Sequence, residues 1–74
     1  MTTDLAVTWG QRLQAVRDQK DVSVRDLATQ VGVTTQYIYL LQTGAHTPSD
    51  ELRMKIAAAL EVRVEDIWSY PEAS

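Results

Sequence analysis

The chain has 74 residues, seven Lys or Arg against ten Asp or Glu, a formal net charge of −3 and no cysteine. A domain this small buries only about 60% of the surface its unfolded chain exposes, which disfavours a deep, fully walled substrate cavity and with it an elaborate enzyme. With neither a disulfide framework nor a thiolate metal site available, the core has to come from packing alone.

Helical punctuation recurs along the chain and strand alternation is nearly absent. Thr8 and Gln11 have the form of a capping box, which predicts helix 1 over Trp9 to Gln19. Its apolar positions Trp9, Leu13 and Val16 share one face, with Arg12, Arg17 and Asp18 mostly off it. Ser23 with Asp26 repeats the start signal. Helix 2 is expected over Val24 to Gln30, with Leu27 and Val31 inward and Gly32 as the residue able to take φ > 0 and stop it. Thr34 is the candidate cap of helix 3, Thr35 to Gln42, whose inward pair is Ile38 and Leu41; Gly44 ends it. The run Thr47, Pro48, Ser49, Asp50 and Glu51 marks a fourth start, capped by either Thr47 or Ser49. Helix 4 then runs to about Leu60, burying Leu52, Ile56, Ala57 and Leu60. Val64 to Trp68 reads as a short fifth helix, stopped by Tyr70 and Pro71. No boundary or repeat interrupts residues 1–74, which are expected to form a single all-α domain with its core over about 8–69; Met1 to about Val7 and the last few residues are expected to fray.

Within this order, Val24 to Leu41 has the spacing of a helix-turn-helix. Two short helices joined so closely pack at a steep angle and need a small residue where they approach, and Ala28 supplies it. Gly32 closes the first helix and Val33 plugs the turn. Ile38 and Leu41 seat the second helix so that its other side projects outward.

These residues, with the stretch from Gly10 to Gly44 and the segment TPSDELRMKIAAALEVRVEDIW from Thr47 to Trp68, resemble the Cro/repressor-type (XRE) helix-turn-helix family of bacterial and phage regulators. The resemblance covers about four-fifths of the chain. It implies a compact five-helix, lambda-repressor-like fold whose third helix enters the major groove of double-stranded operator DNA. The positions it assigns to base reading are Thr35, Gln36, Tyr39 and Leu40, with Gln36 the leading candidate because its amide can pair with an adenine edge. Backbone phosphates fall to the helix starts Ser23 and Thr34, to Arg25, to Tyr37 through its hydroxyl, and to Thr43, His46 and Thr47 in the following loop. Arg12 and Lys20 are flanking candidates. The family's usual glutamate at the end of helix 3 is here Gln42, so Arg17 and Gln42 are expected to share a hydrogen bond in place of an ion pair. Its usual glycines after helices 1 and 4 are Asp21 and Glu61, so those ends are expected to be built differently.

The implied function is sequence-specific regulation of transcription, as repressor or activator, in the cytoplasm and with the nucleoid when bound. No apolar run approaches the roughly 20 residues of a membrane span, and the N-terminus lacks signal-peptide regions. No cofactor, metal or catalytic residue is assigned: His46 stands alone, and Glu61, Glu65 and Asp66 read as a solvated acidic face. Trp9, Trp68 and Tyr70 read as core or interface aromatics. The cluster Trp68, Tyr70 and Pro71 is either a homodimer surface or a fold-back over helix 1. The alternative function is a protein-interaction module that meets another regulator or polymerase through helix 3, where Tyr37, Tyr39 and Leu40 cluster. Charge leaves DNA open. Between Ser23 and Pro48 the chain carries only Arg25 and Asp26, and the surplus acid lies beyond Pro48.

Overall fold

Hydroxyl side chains start three of the helices. Ser23 Oγ accepts from Asp26 N–H at 3.0 Å, Thr34 Oγ1 from Tyr37 N–H at 3.1 Å and Ser49 Oγ from Leu52 N–H at 3.2 Å, each satisfying a donor that the helix itself leaves free. Ser49, not Thr47, therefore caps the fourth helix. The computed structural model describes residues 5–69, and among them are α1 (Leu5–Gln19), α2 (Val24–Val31), α3 (Thr35–Thr43), α4 (Asp50–Leu60) and α5 (Val64–Trp68). The expected all-α, five-helix order is the one observed.

The first helix departs from expectation. It begins at Leu5, about a turn before Trp9, so Thr8 lies inside it and the Thr8–Gln11 capping box does not form. Leu5 packs against the core, and Val7 lies so close to Gly44 that a Cβ there would come within 2.8 Å of Val7 Cγ2. These tertiary contacts extend the helix past its local start signal. Fraying of Leu5 to Val7 is thereby corrected, whereas the frayed ends expected at 1–4 and 70–74 lie outside the described residues.

Every helix sends side chains into one core. Trp9 and Leu13 from α1, Leu27, Ala28 and Val31 from α2, Ile38 and Leu41 from α3, Ile56 and Leu60 from α4, and Ile67 and Trp68 from α5 are all buried together. Leu52, Val16 and Val33 pack at its edge, half-buried. Each fully buried Leu or Ile contributes about 1.5–3 kcal/mol, against a net stability for a chain of this length of only about 4–11 kcal/mol. Single core contacts therefore decide whether the domain folds.

Gly32 at φ 81° and Gly44 at φ 86° close α2 and α3 as the spacing predicts. The ends at Asp21 and Glu61 are built the same way, contrary to expectation, with φ of 59° and 58°. In each, the next residue's N–H reaches back five residues, Val22 to Arg17 O and Val62 to Ala57 O, both at 3.0 Å. This is the hydrogen-bond pattern that normally recruits glycine. The reason lies one residue on: Val22 and Val62 both pack against the core. Docking of these valines holds a left-handed conformation that costs an L-residue about 1–2 kcal/mol.

Close approach of α1 to α3 depends on a glycine inside α1. A Cβ on Gly10 would collide with the carbonyl oxygens of Leu41 and Gln42. At the other side of α1, Trp9 Nε1 donates to Ser69 O at 2.9 Å, and Arg12 Nη1 donates to Ser69 O at 2.8 Å and to Ser69 Oγ at 3.0 Å. Ser69, directly after α5, is thus fastened to α1. Trp68 is only 6% exposed and offers no surface for a homodimer; Tyr70 and Pro71 lie outside the described residues.

Candidate nucleic-acid interface

With Ile38 and Leu41 seated in the core, helical periodicity turns the opposite side of α3 to solvent. Thr35, Gln36 and Tyr39 are exposed there, Tyr39 to 54%. Leu40, the fourth expected reader, is half-buried, so only part of its side chain reaches outward. Its half-burial follows from its place beside Leu41, at the margin between the outer face and the core. The Gln36 side chain makes no hydrogen bond to the other described residues, which leaves both ends of its amide free.

Around this face the structure gathers three of the expected backbone contacts. Tyr37, half-buried, stacks its ring on His46 with centroids 5.9 Å apart and 25° between planes. Thr43 Oγ1 donates to Leu40 O at 3.1 Å, and Ala45 N–H and His46 N–H donate to the same oxygen at 3.0 and 3.3 Å. One carbonyl thus folds the loop back against the last turn of α3. The Thr43 proton is engaged inside the helix, so Thr43 meets a phosphate only by rotating its hydroxyl. Thr47 is exposed and free of the capping role.

The two helix starts differ electrostatically. Ser23 lies in a depression that it shares with Asp18, Asp21, Asp26 and Arg17, and carboxylates so placed oppose an incoming phosphate. Thr34 starts a helix with no acidic residue in its first turn, so the positive end of that dipole is uncompensated. Arg25 is exposed and Lys20 likewise, and neither has a carboxylate partner among the described residues. Arg12, a flanking candidate, is half-buried with Nη1 engaged at Ser69 O and Ser69 Oγ, so less of its guanidinium faces outward.

One feature behind this interface escapes the sequence pattern. Gly10 sets how near α3 lies to α1; its one signal is a glycine inside a periodic helix, which usually has a packing reason. Arg17 holds α3 from the same side: Nε donates to Gln42 Oε1 at 3.0 Å, as expected, and Nη1 donates to Val22 O at 2.9 Å. Among the described residues, no group of three His, Asp or Glu side chains is placed to hold a metal, and no helix is long and apolar enough to cross a membrane.

Residues 12–73 match the sequence profile of the Cro/C1-type HTH DNA-binding domain. The chain belongs to this helix-turn-helix family. An uncharacterized HTH-type transcriptional regulator of Methanocaldococcus jannaschii is 34% identical over 61 residues, covering 82% of this chain and 92% of the relative. A second, from Archaeoglobus fulgidus, is 33% identical and covers 82% and 86%. Among solved structures, the restriction-modification controller protein C.AhdI of Aeromonas hydrophila superimposes with a TM-score of 0.80 at 29% identity, over 84% of this chain and 94% of that one. The clp gene regulator ClgR of C. glutamicum also gives 0.80, at 32% identity, over 85% and 82%. Membership makes the chain a helix-turn-helix regulator of transcription, and the fold matches its relatives over most of its length.

Proposed function

We propose that residues 1–74 act as one DNA-binding domain that places α3 in the major groove of an operator and regulates transcription there. The observation that carries this is an outer face of α3 made of uncommitted polar side chains, Thr35, Gln36 and Tyr39, set on a helix fixed by a buried inner face. Thr35, Gln36, Tyr39 and the exposed part of Leu40 read base edges. Thr34, Arg25, Tyr37 and His46, with Thr43, Thr47 and the acid-flanked Ser23 at the margin, meet phosphates. A two-fold operator would bring two copies to half-sites roughly 34 Å apart.

Selection of the intact chain against a pool of random duplexes at low salt tests this directly. An enriched sequence motif is the expected result. A second reading keeps the fold and exchanges the partner: an uncharged helix with Tyr39 54% exposed also suits a protein surface. If no motif emerges from the selection, the DNA reading falls and that second reading replaces it.

A further inference from the structure

The outer face of α3 carries a chemical bias that narrows its target. From Thr35 to Gly44 there is no charged side chain, and the one basic residue between Ser23 and Pro48, Arg25, stands in the first turn of α2. In the major groove guanine presents two acceptors, N7 and O6, whose bidentate partner is a guanidinium or an ammonium. α3 has neither. Adenine presents one donor and one acceptor, N6–H and N7, and the free amide of Gln36 offers the complementary acceptor and donor. Against guanine only the amide NH2 can bond, and the amide oxygen is left without a donor. Beside it, the methyl of the exposed Thr35 and the partly exposed Leu40 are apolar, which suits the C5-methyl of thymine and nothing on a G·C pair. Tyr39, whose hydroxyl both donates and accepts, is neutral in this choice.

We infer that α3 selects half-sites whose contacted base pairs are A·T, with Gln36 on an adenine edge and Thr35 or Leu40 against a thymine methyl. This rests on the DNA-reading function proposed above and adds the class of base pair that it reads. Positive charge contributes little to the choice, so the discrimination lies in donor–acceptor pattern and methyl contact.

The test begins with the motif enriched from random duplexes by the intact chain and by Gln36→Arg. The position whose preference changes between the two is the one that Gln36 contacts. The expected change is from adenine to guanine at that position, with the ratio of the two affinities moving roughly 5- to 150-fold, the range of one bidentate pair. Because an added arginine strengthens binding to every duplex, the ratio between bases is the readout, and helicity checks that the exposed substitution leaves the fold intact. In the duplex selected by the native chain, uracil in place of the neighbouring thymine removes one methyl and should weaken binding about fourfold. A motif whose contacted positions are G·C overturns the A·T assignment and leaves DNA reading standing. Identical motifs from the native chain and Gln36→Arg overturn the role of Gln36. No motif at all overturns both the assignment and the reading on which it rests.

Discussion

Arg17 Nε donates to Gln42 Oε1 at 3.0 Å, while Nη1 of the same guanidinium donates to Val22 O at 2.9 Å. One side chain, only 12% exposed, therefore joins α1 to the last turn of α3 and to the loop that leads into α2. The acceptor on α3 is neutral. Gln42→Glu would give this guanidinium a charged acceptor in the same place, and charge-assisted bonds are about twice as strong as neutral ones. A gain of about 0.5–1.5 kcal/mol is expected. Gln42→Ala, which leaves a shielded guanidinium nitrogen without its acceptor, should cost about 1–2 kcal/mol. Urea unfolding with an unchanged m-value measures both. A lower midpoint for Gln42→Glu would show that desolvating the new carboxylate outweighs the stronger bond.

Glu61 and Asp21 hold φ of 58° and 59° where glycine has no steric penalty. Glu61→Gly should stabilise the domain by about 0.5–1 kcal/mol, since relief of about 1–2 kcal/mol of strain is offset in part by the greater freedom of glycine in the unfolded chain. Glu61→Ala separates strain from charge: it keeps the Cβ and should leave the strain in place. Thermal unfolding of the pair decides. If the alanine variant rises in Tm as far as the glycine variant, removal of an acidic charge is the cause and the strain account is wrong.

Gly10 and Gly32 both resist an added methyl, for different reasons. At Gly32 a Cβ would meet nothing within 4 Å, although φ is +81°, so Gly32→Ala should cost about 1–2 kcal/mol through backbone strain alone. At Gly10 the Cβ would strike the backbone carbonyls of Leu41 and Gln42, which cannot swing aside as a side chain would. Gly10→Ala should cost about 3 kcal/mol or more, although in an open helix interior the change would stabilise by about 1 kcal/mol. It should also displace α3 from α1 and so weaken any DNA binding along with stability. Helix content and melting temperature report the first effect. A Gly10→Ala protein at least as stable as the parent would mean that the two helices are not in such close approach.

How far the sequence reveals this molecule depends on the range of each interaction. Ser23, Thr34 and Gly32 act within one turn of their own position, so residue type and spacing were sufficient to locate them. Thr8 carries the same local signal and misleads, because the contacts of Leu5 and Val7 that extend α1 are made elsewhere in the fold. Asp21 and Glu61 mislead for a related reason: the valines that hold their backbone pack against a core that all five helices build. On α3, period alone separates Thr35, Gln36 and Tyr39 from Ile38 and Leu41, whereas Leu40 falls on the margin where period cannot decide. The Tyr37–His46 stack depends on a loop folding back onto one carbonyl, and the acceptor of Arg12 lies 57 residues away. No pattern short of the fold contains either.

Arg12 and Arg25 divide the labour between stability and binding. The Arg12 guanidinium donates to Ser69 O and Ser69 Oγ at 2.8 and 3.0 Å and to Ile67 O at 3.4 Å, fastening the end of α5 and Ser69 to α1. Its removal deletes a charged donor from partly buried acceptors, so Arg12→Ala should cost about 1.5–3 kcal/mol of stability. At a temperature where the variant is still folded, its affinity for a selected duplex should be close to that of the parent. Arg25 is exposed without an ion pair among the described residues, and surface changes of this kind move stability by no more than about 0.5 kcal/mol. If it neutralises one phosphate, Arg25→Ala should weaken binding to all sequences alike and reduce the slope of log K against log salt by about one. Measuring unfolding and salt-dependent binding on both variants crosses the two properties. Loss of binding from Arg12→Ala under folding conditions would place α1 in the interface, and an unchanged salt slope for Arg25→Ala would remove that residue from it.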